Sequence, residues 1–184
     1  MSQTASTARL ISLIRDHALI EGGDFELASG ARATTYIDLR RVTMHPEGAD
    51  VIAELLFARC RDAGAVAVGG MATAAIPPVA CVVLRSHEKG APLRGFYVRD
   101  KAKTRGTQRQ VEGQLEAGDV VVLIEDTMTS GRSTMAAVEA VRAEGCTVAK
   151  VITVVDRQQG GADLYKAEGI PFEALVTLSD ITGD

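Results

Sequence analysis

Two adjacent carboxylates and a run of hydroxyl side chains stand together at residues 125–133, EDTMTSGRS. They follow residues 120–124, an unbroken apolar run typical of a central parallel strand that is covered by helices on both faces. Ligands of such sheets bind beyond the carboxyl ends of the strands, which is where these polar residues fall. The amphipathic stretch that follows and stops at Gly145 predicts a helix whose N-terminus faces this loop. Its unpaired N–H groups and positive dipole end favour a bound phosphate.

Glu125 and Asp126 exclude the common loop that binds nucleoside triphosphates. That loop ends in Gly-Lys-Ser/Thr, whereas residues 127–133 contain no lysine. A carboxylate beside a phosphate needs another partner, and sugar hydroxyls can donate to it while Mg²⁺ offsets the negative charge. The segment therefore predicts a pocket for a 5-phosphorylated ribose. The alternative is a purely structural strand–turn–helix unit, which leaves adjacent acids at a buried strand end unexplained.

Residues 99–109 form a strongly basic segment, with five cations against the single acid Asp100 and almost no apolar side chain. Such a segment cannot bury enough surface to order itself, so we expect a mobile loop. It can be read as a solvated basic loop. The neighbouring phosphate pocket favours another interpretation, in which a cationic lid closes over a diphosphate, neutralises the departing group and excludes water.

Composition sets the limits of the fold. With 184 residues, of which 46% are hydrophobic, the chain can bury one full core, and we expect a single domain over residues 1–184. The net charge of -4 argues against nucleic acid or an anionic membrane as a partner. No stretch approaches the roughly 20 apolar residues of a membrane span, and residues 1–10 lack the pattern of a secretion signal. These features predict a cytoplasmic protein.

Cysteines and histidines are scattered along the chain. None stands at a metal-ligand spacing from another, and an odd number of cysteines argues against a disulfide framework. We therefore expect free thiols and no role in catalysis or metal binding for these residues: Cys60, Cys81, Cys146, His17, His45 and His87.

Apolar periodicity predicts alternating helices and strands. A helix is expected from about Thr7 to Ile20, where a glycine pair ends it, and further helices begin near Pro46 and Pro77. The short segments 25–27 and 36–39 suggest a small antiparallel element at the N-terminus. Apolar runs predict core strands at residues 66–68, 95–98, 120–124 and 148–155. This α/β order favours a mainly parallel, doubly wound central sheet flanked by helices.

Residues 120–133 resemble the phosphoribosyl-diphosphate signature of type I phosphoribosyltransferases, and Gly70–Ile76 is similar to their pyrophosphate loop. Three further motifs resemble the orotate phosphoribosyltransferase family: FELASGARATTYIDLR at 25–40, FYVRDKAKTRGTQRQVEG at 96–113 and VVDRQQGG at 154–161. The resemblance implies a type I phosphoribosyltransferase-like α/β fold. Its parts would be a small hood at about 1–45, a core at about 46–184 and a mobile catalytic loop at about 99–112.

The resemblance also implies a reaction. A phosphoribosyl group would pass from 5-phosphoribosyl 1-diphosphate (PRPP) to N1 of orotate, with Mg²⁺ as cofactor, giving orotidine 5'-monophosphate and diphosphate. The metal would be bound through substrate oxygens and water, with no dedicated protein cage. A homodimer is implied, because the family delivers this loop into the neighbouring subunit's site. Nucleic acid and membrane are not expected as partners.

The matching motifs assign site residues. The catalytic set would be Lys103, Arg99 and Asp126, with Lys103 assisting departure of the diphosphate. Orotate would contact Thr129, Tyr36 and Arg157, whose planar fork suits a carboxylate; an Asp156–Arg157 ion pair or a surface arginine is the structural alternative. The pyrophosphate loop would comprise Met71, Ala72, Thr73 and Ala74. PRPP would contact Arg99, Lys101, Lys103, Arg105, Glu125, Asp126, Thr127, Met128, Thr129, Ser130, Gly131, Arg132 and Ser133.

Four positions depart from the family pattern. Asp100 replaces a usual lysine, and Arg105 replaces a histidine, which removes a group able to change protonation near neutral pH. Ala28 and Ala74 stand where some members carry lysines. Two alternatives stay open: a phosphoribosyltransferase for purines or uracil, which would not need Arg157, and a non-catalytic PRPP sensor that regulates transcription.

Overall fold

The computed structural model describes residues 3–26, 32–100 and 109–183. Helices and strands alternate along most of these residues. They are α1 (Gln3–His17), β1 (Leu19–Glu26), β2 (Arg32–Ile37), α2 (Arg40–Thr43), α3 (Pro46–Asp62), β3 (Ala67–Gly69), α4 (Ile76–Glu88), β4 (Arg94–Val98), β5 (Val111–Gly113), β6 (Val120–Met128), α5 (Arg132–Ala143), β7 (Thr147–Asp156), α6 (Gly161–Ala167), β8 (Phe172–Thr177) and α7 (Leu178–Thr182).

A mainly parallel sheet forms the centre of the molecule. Its strand order in the described residues is β5-β4-β3-β6-β7-β8, and only the edge strand β5 runs antiparallel to its neighbour. The strands β1 and β2 form a separate antiparallel pair. This architecture confirms the predicted α/β class. None of the described helices combines the length and the apolar character that a membrane span requires.

Both faces of β6 are covered, as its apolar run predicts. Val122 and Ile124 pack into the core cluster that contains residues of α1, α3 and α4. Val121 and Leu123 pack on the opposite face with residues of α5 and α6. Because successive side chains of a strand point to opposite faces, the two acids that follow are also separated. Glu125 faces α5, and Asp126 faces the other side of the sheet.

The predicted N-terminal helix is wrong at its end. Helix α1 ends at His17, and Ile20 already belongs to β1, in which Leu19 pairs with Ile37. The glycines 22 and 23 lie inside the strand, where the register shifts between Glu21 and Phe25. Gly22 has a φ of 74°, which suits the irregularity of a bulge better than the end of a helix. Residues 27–31, including Ala28, lie outside the described residues.

Candidate active site

A cavity of about 360 Å³ opens where β6 and β7 end, beneath the β1–β2 pair. Residues of β2 and the segment after it line one side, and residues of β6 and the position after β7 line the other. The cavity is lined by Tyr36, Ile37, Asp38, Leu39, Arg40, Ala74, Asp126, Thr127, Thr129 and Arg157. The structure thus brings together all three residues predicted to contact orotate, Tyr36, Thr129 and Arg157, with the predicted catalytic acid Asp126.

A second cavity, of about 540 Å³, lies over the start of α5. It shares Thr127 and Thr129 with the first, and Glu125, Ser130, Gly131, Arg132 and Ser133 complete its lining. Gly131 precedes the helix with a φ of 72°, a conformation that favours glycine. No side chain caps this helix end in the described residues, so its first N–H groups remain available as donors to an anion in the cavity that residues 130–133 line. Met128 is buried and lines neither cavity.

Glu125 is buried, with 8% of its surface exposed. Ser133 Oγ donates to its Oε1 at 3.1 Å, and the Tyr165 hydroxyl donates to its Oε2 at 3.1 Å. Burial raises the pKa of Glu125 to about 7, although these hydrogen bonds favour the ionised form and oppose the rise. A carboxylate with this pKa exchanges its proton near neutral pH.

Asp126 has a different environment on the other face of the strand. It is half-buried and reaches the 360 Å³ cavity. Burial raises its pKa, while the N–H groups of Thr127 and Asp126 itself and the charge of Arg40 oppose the rise.

Strand β6 extends to Met128, four residues beyond the predicted run. The acids therefore lie within a strand, whose alternation separates them, instead of in the loop after it.

Arg157 is a buried cation with free hydrogen-bonding capacity. Only 6% of its surface is exposed, and its Nη2 donates to the Thr35 carbonyl at 3.1 Å. Within the described residues its Nε is buried without a partner, and burial lowers its pKa. Asp156 accepts instead from the Gln158 N–H at 2.7 Å, so the structural alternative of an Asp156–Arg157 ion pair is not found there. A buried guanidinium at a cavity wall favours a bound anion.

The predicted pyrophosphate loop connects this site with the basic segment. Its Ala72 N–H donates to the Val98 carbonyl at 2.7 Å, which ties the loop to the end of β4. Gly70, just before it, lies so close to the Ile124 carbonyl that a Cβ atom would collide with it. Met71, Ala72 and Ala74 line a small cavity of about 150 Å³ together with both acids and Ser133. Ala72 and Thr73 line another, of about 500 Å³, with Arg99 and Asp100.

Arg109 and Arg99 are the described cations of the predicted lid, and Arg99 lines the cavity of about 500 Å³. The Arg99 backbone N–H donates to the Gln110 carbonyl at 2.9 Å, and its Nε is buried with no partner among the described residues. Asp100 is exposed beside it. The predictions for Lys101, Lys103 and Arg105 fall on residues 101–108, which lie outside the described residues.

Sequence reasoning missed three side chains at the site. Asp38 and Arg40 form an ion pair of 2.8 Å at the rim of the 360 Å³ cavity. Tyr165, on α6, reaches Glu125 from a position 40 residues later in the chain. The charged residues within the YIDLR segment were a usable signal for the first two. Nothing in the sequence around Tyr165 distinguishes it from a core tyrosine.

Comparison with known proteins defines the class first. The phosphoribosyl transferase domain family matches residues 39–171, so the protein is a phosphoribosyltransferase-family member. A Rhodopirellula baltica orotate phosphoribosyltransferase is 40% identical over 185 residues, covering 97% of this chain and 95% of that protein. The Mycobacterium tuberculosis orotate phosphoribosyltransferase has a TM-score of 0.84 at 36% identity, covering 96% of this chain and 98% of that one. Within its class, this chain belongs to the orotate phosphoribosyltransferases.

Another solved structure of the Mycobacterium tuberculosis enzyme is a complex with 5-phospho-α-D-ribosyl 1-diphosphate. It has a TM-score of 0.80 at 32% identity and covers 96% of this chain and 99% of that one.

Proposed function

We propose that this protein transfers a phosphoribosyl group from PRPP to N1 of orotate and releases diphosphate, in the pathway that makes pyrimidine nucleotides. The observation that carries the proposal is Arg157, a buried guanidinium with an unpaired Nε at the wall of the cavity that Asp126 and Thr129 also line. A planar cation there suits the carboxylate of orotate, which neither uracil nor a purine carries.

The two adjoining cavities suit the two ends of the reaction complex. The 5-phosphate of PRPP would bind at the open N-terminus of α5, with hydroxyls of Thr129, Ser130 and Ser133 as additional donors. The ribose hydroxyls would donate to Glu125 and Asp126, which bridge the cavities. Orotate would then lie between Arg157 and Tyr36. A relative that shares this fold binds PRPP, which supports the assignment.

The chemistry requires stabilisation of a departing diphosphate and of positive charge on the sugar ring. Carboxylates of the acidic pair would stabilise the ring as it becomes cationic. Arg99 and, from the segment outside the described residues, Lys101, Lys103 and Arg105 would neutralise the diphosphate, with Lys103 assisting its departure. Met71, Thr73 and Ala74 would offer backbone N–H groups to the same diphosphate, and Ala72, whose N–H donates to the Val98 carbonyl, would hold the loop beside it.

The proposal includes Mg²⁺ as a cofactor. The described residues contain no cluster of three or more potential metal ligands, so the donor set fits a cation carried mainly by substrate oxygens and water. When bound, Mg²⁺ would supply charge neutralisation for the diphosphate.

We further propose a cytoplasmic homodimer in which each lid serves the partner's site. The dimer follows from the resemblance of residues 96–113 to a catalytic loop that acts between subunits. Free thiols at Cys60, Cys81 and Cys146 suit a reducing compartment.

The reaction can be followed by the loss of orotate absorbance after PRPP and magnesium chloride are added. Uracil, hypoxanthine and adenine are tested in the same way as alternative acceptors. We expect turnover of orotate alone. Turnover of another base would assign a different acceptor, and PRPP binding without turnover of any base would indicate a sensor.

A further inference from the structure

We propose that Tyr165 is a positioning residue of the phosphoribosyl site, holding the Glu125 carboxylate and the turn that begins α5 in one arrangement. The inference deepens the proposed function and rests on it. No sequence motif marks this tyrosine, and the reaction described above does not use it.

The Tyr165 hydroxyl lies between two parts of the site. Its ring is fully buried and stacks on Phe172 of β8 with ring centroids 5.2 Å apart. Its oxygen is 3.1 Å from Glu125 Oε2 and 3.2 Å from the Gly131 carbonyl. The hydroxyl has one proton. Because the Gly131 carbonyl already accepts the Met135 N–H at 3.0 Å, the carboxylate is the better acceptor for it.

This hydroxyl completes the restraint on Glu125. Ser133, in the first turn of α5, donates to one carboxylate oxygen, and Tyr165 donates to the other. Each oxygen keeps further acceptor capacity for a sugar hydroxyl. Two donors from two helices therefore fix the orientation of the carboxylate and leave each of its oxygens able to accept a further hydrogen bond.

The same hydroxyl forms the wall behind the phosphate turn. A Cβ atom at Gly131 would stand 2.9 Å from Tyr165 Oη, so the tyrosine fills the space on that side of the turn. The turn can then present its N–H groups only toward the cavity. One buried atom thus couples the sugar-binding acid to the anion-binding end of α5.

The electrostatic setting of Glu125 supports this role. The groups that act on it are Tyr165 of α6, Ser133 and Thr134 of α5, and Asp126 of its own strand; Asp156 of β7 acts on Tyr165. Burial and Asp126 raise the pKa of Glu125, and the tyrosine hydrogen bond opposes them. Removal of the hydroxyl should therefore raise that pKa further and leave less ionised carboxylate at neutral pH.

Tyr165→Phe tests the inference, because it removes the hydroxyl and keeps the ring. We measure the dissociation constant of PRPP by calorimetry in magnesium chloride between about pH 6 and pH 9. A rise of about one unit in the pKa of Glu125 predicts about fivefold weaker binding near pH 7 and convergence with the unsubstituted protein near pH 9. Ser133→Ala, which removes the other donor, should shift the pH dependence in the same direction.

Phe172→Leu is the matched control, since it disturbs the ring stack and leaves the hydroxyl in place. It should lower the melting temperature without moving the pH dependence of PRPP binding. Unchanged pH dependence in Tyr165→Phe, whatever Ser133→Ala shows, or an equal loss of affinity at every pH in Tyr165→Phe, would overturn the positioning role. Because this readout is binding, it decides the role of Tyr165 even if orotate turnover fails in the unsubstituted protein, which would overturn only the proposed function.

Discussion

Glu125 and Arg157 are ionisable side chains that folding removes from water at opposite sides of the same site. Burial acts on both in the direction that disfavours charge: it raises the pKa of the acid and lowers that of the base. Neither has an oppositely charged side chain as an ion-pair partner in the described part of the chain. Burial of these two groups lowers the stability of the free protein. A substrate that brings sugar hydroxyls to Glu125 and a carboxylate to Arg157 would offset that loss of stability.

Replacement of Glu125 by Gln should stabilise the protein at alkaline pH and reduce its activity. The folded-state pKa of about 7 lies above the ordinary value of 4.5. The folded state therefore holds the proton more tightly than the unfolded chain, and stability falls as pH rises from 4.5 through 7. Glutamine carries no charge; its amide oxygen accepts from one of the two hydroxyls, and its NH2 group can donate to the oxygen of the other. The variant should gain up to about 3 kcal/mol near pH 8 and less than about 1 kcal/mol near pH 5.

Urea unfolding at several pH values measures this difference. Glu139→Gln, at an exposed position on α5, is the matched control and should show no such pH-dependent gain. A Glu125→Gln variant that is less stable than the unsubstituted protein near pH 8 would show that the buried carboxylate contributes more through its hydrogen bonds than its burial costs.

Arg157 should determine the use of orotate and leave PRPP binding intact. Arg157→Ala removes the buried cation. We expect kcat/KM for orotate to fall about 30- to 1000-fold, which corresponds to a loss of about 2–4 kcal/mol of transition-state stabilisation. Arg157→Lys keeps a charge but loses the planar fork, so it should recover only part of the loss. Steady-state kinetics with each substrate varied separates the effects. An equal rise in the KM of PRPP would contradict the assignment of Arg157 to the base.

At the scale of elements, the phosphate site depends on how β6 passes into α5. The strand delivers its acids to opposite faces, and Gly131, with its positive φ, reverses the chain so that the helix starts facing the cavity. The helix has no side-chain cap in the described residues, which leaves its N–H groups for a ligand. The geometry of this turn should therefore affect PRPP binding more than it affects stability.

Gly131→Ala tests the turn against a matched glycine. Gly64 has a similar φ of 67°, but a Cβ atom there would meet nothing within 4 Å. Both substitutions should cost about 1 kcal/mol of stability from the strained backbone. Gly131→Ala should cost more, because its Cβ atom would stand 2.9 Å from Tyr165 Oη. Only Gly131→Ala places a methyl group against Tyr165, so it alone should weaken PRPP binding, by about tenfold or more. Calorimetric titration with PRPP measures this, and equal affinities of the two variants would contradict the importance of the turn.

Local pattern explains which elements were predictable. The apolar run of β6 and the proline start of α3 are encoded in neighbouring residues, and both were predicted. The boundary between α1 and β1 was not, because residues 19–21 become the start of β1 by pairing with β2, a contact that periodicity does not contain. The same limit applies to Tyr165 and to the Thr35 carbonyl that binds Arg157, since both reach the site through tertiary packing. Motif resemblance supplied the site residues that pattern could not.

At the scale of the whole molecule, the site is assembled from distant parts of the chain. The rim ion pair of Asp38 and Arg40, the loop at Ala72, the acids of β6 and the guanidinium of Arg157 meet at one edge of the sheet. Arg99 lines a neighbouring cavity with Ala72, from which it would approach the proposed diphosphate. The remaining cations of the proposed machinery belong to residues 101–108, and the proposed dimer would bring them from the neighbouring subunit.

Subunit complementation tests that arrangement. Lys103→Ala and Arg157→Ala should each be nearly inactive as homodimers, because each removes a different part of every site. If the lid acts on the partner, a hybrid dimer contains one site with both defects and one site with neither.

The experiment unfolds equal amounts of the two variants and refolds them together, so that about half of the dimers are hybrids. Activity should then recover to about a quarter of that of the unsubstituted protein. A lid that acts on its own subunit leaves one defect in each site of every hybrid, so the mixture would stay inactive. Refolding each variant alone is the control for recovery without hybrids.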